Sequence, residues 1–177
     1  GCIGLILFCQ RTMVTTRELY DRYCELSRPD KEWQYYDSIS TTGDNNVRYK
    51  AEFTQRIHAT VFDVDGKLLK DEGERKCDKV LLAECPVTAS CYACFIEMKA
   101  GRNIERAGSQ LENTIRNELF RASDFVRREA VLICGSMPKN KPGGEFQQIQ
   151  RRLMALKCPL RRQRPGETDR IDGGKIF

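Results

Sequence analysis

The chain has one histidine, His58, among 177 residues. Imidazole is the usual general base of triad hydrolases and the commonest transition-metal ligand, so His-dependent hydrolysis and His-rich metal sites are nearly excluded. His58 lies between Ile57 and Ala59 and reads as a structural strand residue. No glycine-rich phosphate cradle and no dinucleotide fingerprint is present. There are no internal repeats or low-complexity tracts, and no apolar run is long enough to cross a bilayer, so no membrane partner is expected.

The N-terminal stretch Gly1–Cys9 is apolar but too short to span. It lacks the basic leader and small-residue cleavage site of a signal peptide. Its Gly-Cys opening lacks the serine or threonine of an acylation signal. It is read as a strand or as residue of an upstream reading frame, with Met13 a candidate start. Nine cysteines, an odd number, are scattered through apolar runs where cysteine acts as a small hydrophobe. That is no secreted disulfide framework, and it points to a reducing cytoplasm. Cys91-Tyr92-Ala93-Cys94 is formally a C-x-x-C, but it runs into a strand that would splay the two thiols to opposite faces, which argues against a metal role.

Apolar residues make up 40% and charged residues 31%, which fits a globular chain and argues against wholesale disorder. A net charge of +5 permits a polyanionic partner without requiring one. The length suits one core with a small appendage, so residues 1–177 are read as a single domain with its core at about 57–135. Basic residues crowd the C-terminal helix and tail, 145–177: Arg151, Arg152, Arg161, Arg162 and Arg164 form either a solvated surface or a nucleic-acid contact.

The patterning predicts an N-terminal helix over 15–27, capped at Thr15-Thr16-Arg17-Glu18. Residues 27–46 are polar and turn-rich, with a loop at Gly43-Asp44-Asn45-Asn46. Residues 47–55 read as a strand or irregular extension. Strands follow at 57–64, 77–83 and 91–98. Ile104, Ala107, Gly108, Leu111, Ile115, Leu119 and Ala122 fall on one stripe, which predicts a helix over 104–122. A short apolar strand at 130–134 is the kind buried on both faces. A second helix covers 145–157, and Ile171 and Ile176 suggest a terminal strand. The order helix, three strands, helix, strand, helix gives an α/β fold, a mixed β-sheet flanked by helices.

Asp78 heads one apolar strand and Glu97-Met98-Lys99 ends the next. Alternate residues share a strand face, so Glu97 and Lys99 point the same way. If the strands pair, two carboxylates and a lysine converge at one sheet end, the minimum for metal-assisted phosphodiester cleavage. With Asp78 at the start of the second core strand and Phe-Ile-Glu-Met-Lys-Ala-Gly at the end of the third, residues 57–135 resemble the PD-(D/E)xK, or restriction-endonuclease-like, nuclease superfamily. The proline usual before the aspartate is Cys77 here. The resemblance implies an Mg²⁺- or Mn²⁺-dependent nuclease, with Asp78, Glu97 and the Met98 carbonyl holding the metal and Lys99 steadying the attacking water and the phosphate. It implies a role for Gln110 like that of the helix glutamine in exonuclease-type members. Arg102 and Arg106 would help Gln110 hold the substrate backbone. DNA is favoured over RNA, and sequence-specific recognition would need a homodimer or a partner protein.

Two readings compete. The same fold hosts non-catalytic binding and scaffold proteins. Separately, Val61-Phe62-Asp63-Val64-Asp65-Gly66 is similar to the nucleophile motif of haloacid dehalogenase-like phosphatases, with Asp63 as nucleophile and Asp65 as acid/base. That family's later acidic strand end is missing, since Val131–Ser136 carries no carboxylate. The plainer reading is an Asp-Gly turn into a hairpin.

Overall fold

Alternation along the strands sorts the apolar residues into two cores, one on each side of a seven-stranded mixed sheet. The computed structural model describes residues 18, 20, 21, 30–70, 73–85, 87–99, 103–135 and 141–177. Its strands are β1 (Gln34–Thr42), β2 (Arg48–Asp63), β3 (Lys79–Glu84), β4 (Cys91–Lys99), β5 (Arg127–Cys134), β6 (Leu160–Gln163) and β7 (Thr168–Ile171). Its helices are α1 (Ile104–Ile115), α2 (Glu145–Ala155) and the short α3 (Gly173–Ile176). Strands β1 to β6 lie side by side in chain order. The β1–β2, β2–β3 and β3–β4 pairs are antiparallel, and β4–β5 and β5–β6 are parallel. The seventh strand returns from the far edge to pair in parallel with the first half of β2.

Several sequence expectations need correction. The segment read as polar and turn-rich contains β1, whose residues are mostly exposed, so an edge strand left little apolar signature. Residues 47–55 and 57–64 belong to one strand, β2. The partners of Tyr36 and Ser38 on β2 are Ile57 and Glu52, so β2 bulges between them, and the bulge interrupts the pattern. The helix expected over 104–122 stops at Ile115. There Arg128 donates to the carbonyls of Ile115 and Phe120, satisfying a helix end and the turn that follows it. Asn117 then accepts from Leu119 N and starts a separate 3-10 turn, Glu118–Phe120. The tail expected to hold one terminal strand forms β6, β7 and α3. Of the helix expected over 15–27, Glu18, Tyr20 and Asp21 are helical; its remaining positions lie outside the described residues.

The α1–α2 layer covers the core formed by Val80, Leu82, Phe95, Leu111, Leu132 and Ile149. Asn103 caps α1 by accepting from Arg106 N. The two helices approach closely at Gly108, where a Cβ would stand 2.7 Å from the Ile149 side chain. Cys91 faces this core and Cys94 the opposite one, as strand alternation requires. Among the described residues Cys77, Cys85, Cys94, Cys134 and Cys158 are free thiols. No helix among the described residues is long and apolar enough to cross a membrane.

Candidate functional site

Because β2 and β4 run one way and β3 the other, the C-terminal ends of β2 and β4 meet the N-terminal end of β3. Lys79 pairs with Ile96, so Asp78, one residue earlier, falls opposite Glu97. Asp78, Glu97 and Lys99 all have the strand parity that faces α1. The backbone N–H of Asp78 donates to Glu97 Oε2 at 3.1 Å, and Met98 N–H donates to Asp78 Oδ2 at 2.7 Å. Each carboxylate is thus held by the other residue's strand. The Lys99 ammonium lies 2.8 Å from Glu97 Oε1.

Helix α1 fixes the chain entering β3. Gln110 Nε2 donates to Lys76 O at 2.9 Å, Asn113 Nδ2 to Arg75 O at 3.2 Å, and Thr114 Oγ1 accepts from Cys77 N at 2.8 Å. Residues 75–77 precede the strand, so these helix side chains replace the ladder bonds a strand neighbour would supply. A carbonyl can only accept, so the bond to Lys76 sets the orientation of the Gln110 amide and leaves Oε1 as its free acceptor.

Glu97 is fully buried, and burial first, then the Asp78 charge, pushes its carboxyl up to about 8, against the pull of Lys99. Asp78 is raised too, chiefly by burial. Met98 N–H and Lys99 oppose that rise, and the charge of Asp44 adds to it. The buried Oε1 of Gln110 has no hydrogen-bonding donor. Glu97 Oε1 is held by the Lys99 ammonium, which opposes the rise of its carboxyl. Orphaned buried oxygens are uncommon and call for a partner.

A pocket of about 600 Å³ opens over these groups, lined by Asp78, Met98, Lys99 and Gln110. Thr42, Gly43 and Asp44 from the β1–β2 turn line it as well, as do Asp63, Asp65, Lys67, Arg75 and Lys79. No three His, Cys, Asp or Glu side chains converge as a metal-binding group among the described residues. A cation on two carboxylates and a main-chain carbonyl needs only Asp78, Glu97 and Met98, and it would share Glu97 with the Lys99 ammonium.

The expected residues divide clearly. Asp78, Met98, Lys99 and Gln110 line the pocket, and Glu97 is buried against Asp78 and Lys99. Arg102 lies outside the described residues. Arg106, Arg151 and Arg164 are exposed and do not line the pocket. Arg152 is tied to Glu105 and Glu112, each at 3.1 Å. Arg161 is bound internally to Asp169 at 2.7 Å, and the Arg162 guanidinium lies 5.5 Å from the centre of the Phe146 ring. Asp63 pairs with Lys79 across the antiparallel β2–β3 ladder, and Asp65-Gly66 forms a turn with Gly66 at φ +70°. Asp44, Asn113 and Thr114 escaped the sequence reading. The Gly-Asp-Asn-Asn loop was legible as a turn, but nothing local placed it beside β4. No protein-family model matches the chain, and neither the curated proteins nor the solved structures yield a significant match.

Proposed function

We propose that the chain is a divalent-metal-dependent nuclease of the restriction-endonuclease-like type, hydrolysing nucleic-acid phosphodiesters, DNA in preference to RNA. The observation that carries this reading is the convergence of Asp78, Glu97 and Lys99 at one strand end, beside a pocket lined by Asp78, Lys99 and Gln110, whose buried Oε1 has no donor. Asp78, Glu97 and the Met98 carbonyl would hold Mg²⁺ or Mn²⁺, which supplies charge neutralisation and an acidified water. Lys99, tethered to Glu97, offsets negative charge developing on the phosphate. Gln110 offers its free oxygen to a donor, which suits a water better than a phosphate oxygen, and so differs from the backbone-holding role expected from sequence.

The test is cleavage of end-labelled single- and double-stranded DNA, with RNA in parallel, in Mg²⁺ or Mn²⁺. The parent chain should cleave, chelator should stop it, and Glu97→Gln and Lys99→Ala should each reduce the rate at least a hundredfold. Binding without cleavage would favour a non-catalytic protein of the same fold. Metal-dependent cleavage undiminished in both variants would overturn the site assignment. Phosphomonoester hydrolysis lost in Asp63→Asn but kept in Glu97→Gln would favour the phosphatase reading instead.

A further inference from the structure

We infer that Asp44 is a third carboxylate of this site, one that holds the water shell of a divalent cation seated on Asp78 and Glu97. The inference rests on the nuclease reading and deepens it by assigning the opposite wall of the pocket. Asp44 begins a 3-10 turn, Asp44–Asn46, between β1 and β2, and lines the same pocket as Asp78 and Lys99. Gly43 N–H donates to Val47 O at 2.8 Å, and Val47 N–H returns to Asp44 O at 3.3 Å, closing the turn. The turn sits directly on Met98: a Cβ at Gly43 would stand 2.9 Å from Met98 Cε. Met98 lies between Glu97 and Lys99, so this close approach carries Asp44 to the strand end where both carboxylates sit. The Gln110 Oε1, in a buried side chain that lines the same pocket, has no donor and is a separate sign that the site receives a guest able to donate, as the bound water of a cation can.

The three acids do not gather as a direct ligand set. A carboxylate just beyond reach of the ion still acts through the ion's own water. Mg²⁺ gives up water reluctantly and keeps several molecules when bound through one or two carboxylates. Outer-shell partners of this kind typically contribute 10–100-fold in metal affinity. Asp44 therefore works as a positioning residue, and its effect should be greater for Mg²⁺ than for Mn²⁺, which sheds water more readily.

The experiment is Mn²⁺ binding to the full chain, followed by the electron paramagnetic resonance signal of the free ion, with Mg²⁺ measured by competition. The parent chain should bind and Asp78→Asn should not. Asp44→Asn, with an unchanged melting temperature, should weaken Mg²⁺ about tenfold and Mn²⁺ less, and Asp44→Glu should recover part of the loss. Parent-like Mg²⁺ affinity in Asp44→Asn overturns this inference and leaves the nuclease reading standing. So does a loss that Asp44→Glu fails to recover, because it marks a disturbed turn and no missing carboxylate. A parent chain that binds neither ion overturns the nuclease reading itself.

Discussion

On the face of the sheet away from the α1–α2 layer, Asp169 and Glu129 are buried with all four carboxylate oxygens occupied. Asp169 takes Arg161 on one oxygen, and Tyr49 with Arg161 on the other. Glu129 takes Arg127 on one oxygen, and Tyr92 with Arg161, at 3.6 Å, on the other. Burial raises the Asp169 carboxyl, but Arg161 and Tyr49 oppose it. At the strand ends on the helix side, Glu97 is at least as buried, yet one oxygen has only the Lys99 ammonium, itself part of the pocket lining, and its carboxyl is pushed up to about 8. Both clusters come from the same residue types on neighbouring strands. The first spends every carboxylate oxygen inside the protein and joins β2, β4, β5, β6 and β7, leaving Arg161 Nε unpaired, while the second keeps the Gln110 oxygen in reserve beside a pocket. Buried charge alone does not mark a site; buried charge whose partners line an opening does.

The sharpest way to break this comparison is to unbalance the completed cluster. Arg161→Met should leave Asp169 without its cation and destabilise the fold by about 3–5 kcal/mol, read from urea unfolding at neutral pH. A loss below about 1 kcal/mol would show that the network is no stronger than a surface pair.

The incomplete cluster should respond in the opposite sense. The Glu97 carboxyl is raised in the folded chain, so its contribution is fully present below the unfolded value of 4.5 and is lost as pH rises through about 8. Without metal, the parent should lose on the order of 3 kcal/mol between pH 5 and 9. Glu97→Gln should flatten that slope and equal or exceed the parent in stability at pH 9, while losing cleavage. Parallel pH profiles for the two chains would show that Glu97 does not carry the strain.

Thr114→Val tests the scaffold under the site. It keeps the shape and leaves the Cys77 amide without its acceptor, which should cost about 1–3 kcal/mol and loosen Asp78. Stability and cleavage should fall together; a drop in stability with an unaltered rate would detach the helix from the chemistry.

The smallest effect concerns the basic residues. Replacing exposed Arg151 and Arg164 with alanine should flatten the log-log salt dependence of duplex binding by about 0.9 for each residue that touches phosphate. Arg152→Ala, already neutralised by Glu105 and Glu112, should leave the slope unchanged. An unaltered slope in the double variant would show a solvated surface with no substrate contact.

Continuous apolar runs, buried on both faces, made β3, β4 and β5 legible, and helical stripes gave the starts of α1 and α2. The Asp78–Glu97–Lys99 convergence followed from parity once β3 and β4 were taken as neighbours. What escaped depends on distant contacts. Strand β1 buries little, and β7 is held by pairing with β2, more than a hundred positions earlier in the chain. Asp44 reaches the site only because Gly43 settles on Met98. The arginines looked alike as a run of charge, but their roles were set by acids from other segments: Glu105 and Glu112 for Arg152, and Asp169 and Glu129 for Arg161.

The Cys77 amide has a consequence for how this site can change over generations. A proline at this position would fix the backbone covalently by ring closure. Here the amide is fixed by the hydroxyl of Thr114, 37 residues along the chain. A proline at 77 would remove the donor and leave that hydroxyl with one bond fewer, and an alanine at 114 would leave the donor stranded. Neither position is free to drift alone, so the two should be inherited as a pair. Descendants of this chain should show either a proline at 77, with position 114 released, or an amide at 77 and a hydroxyl at 114.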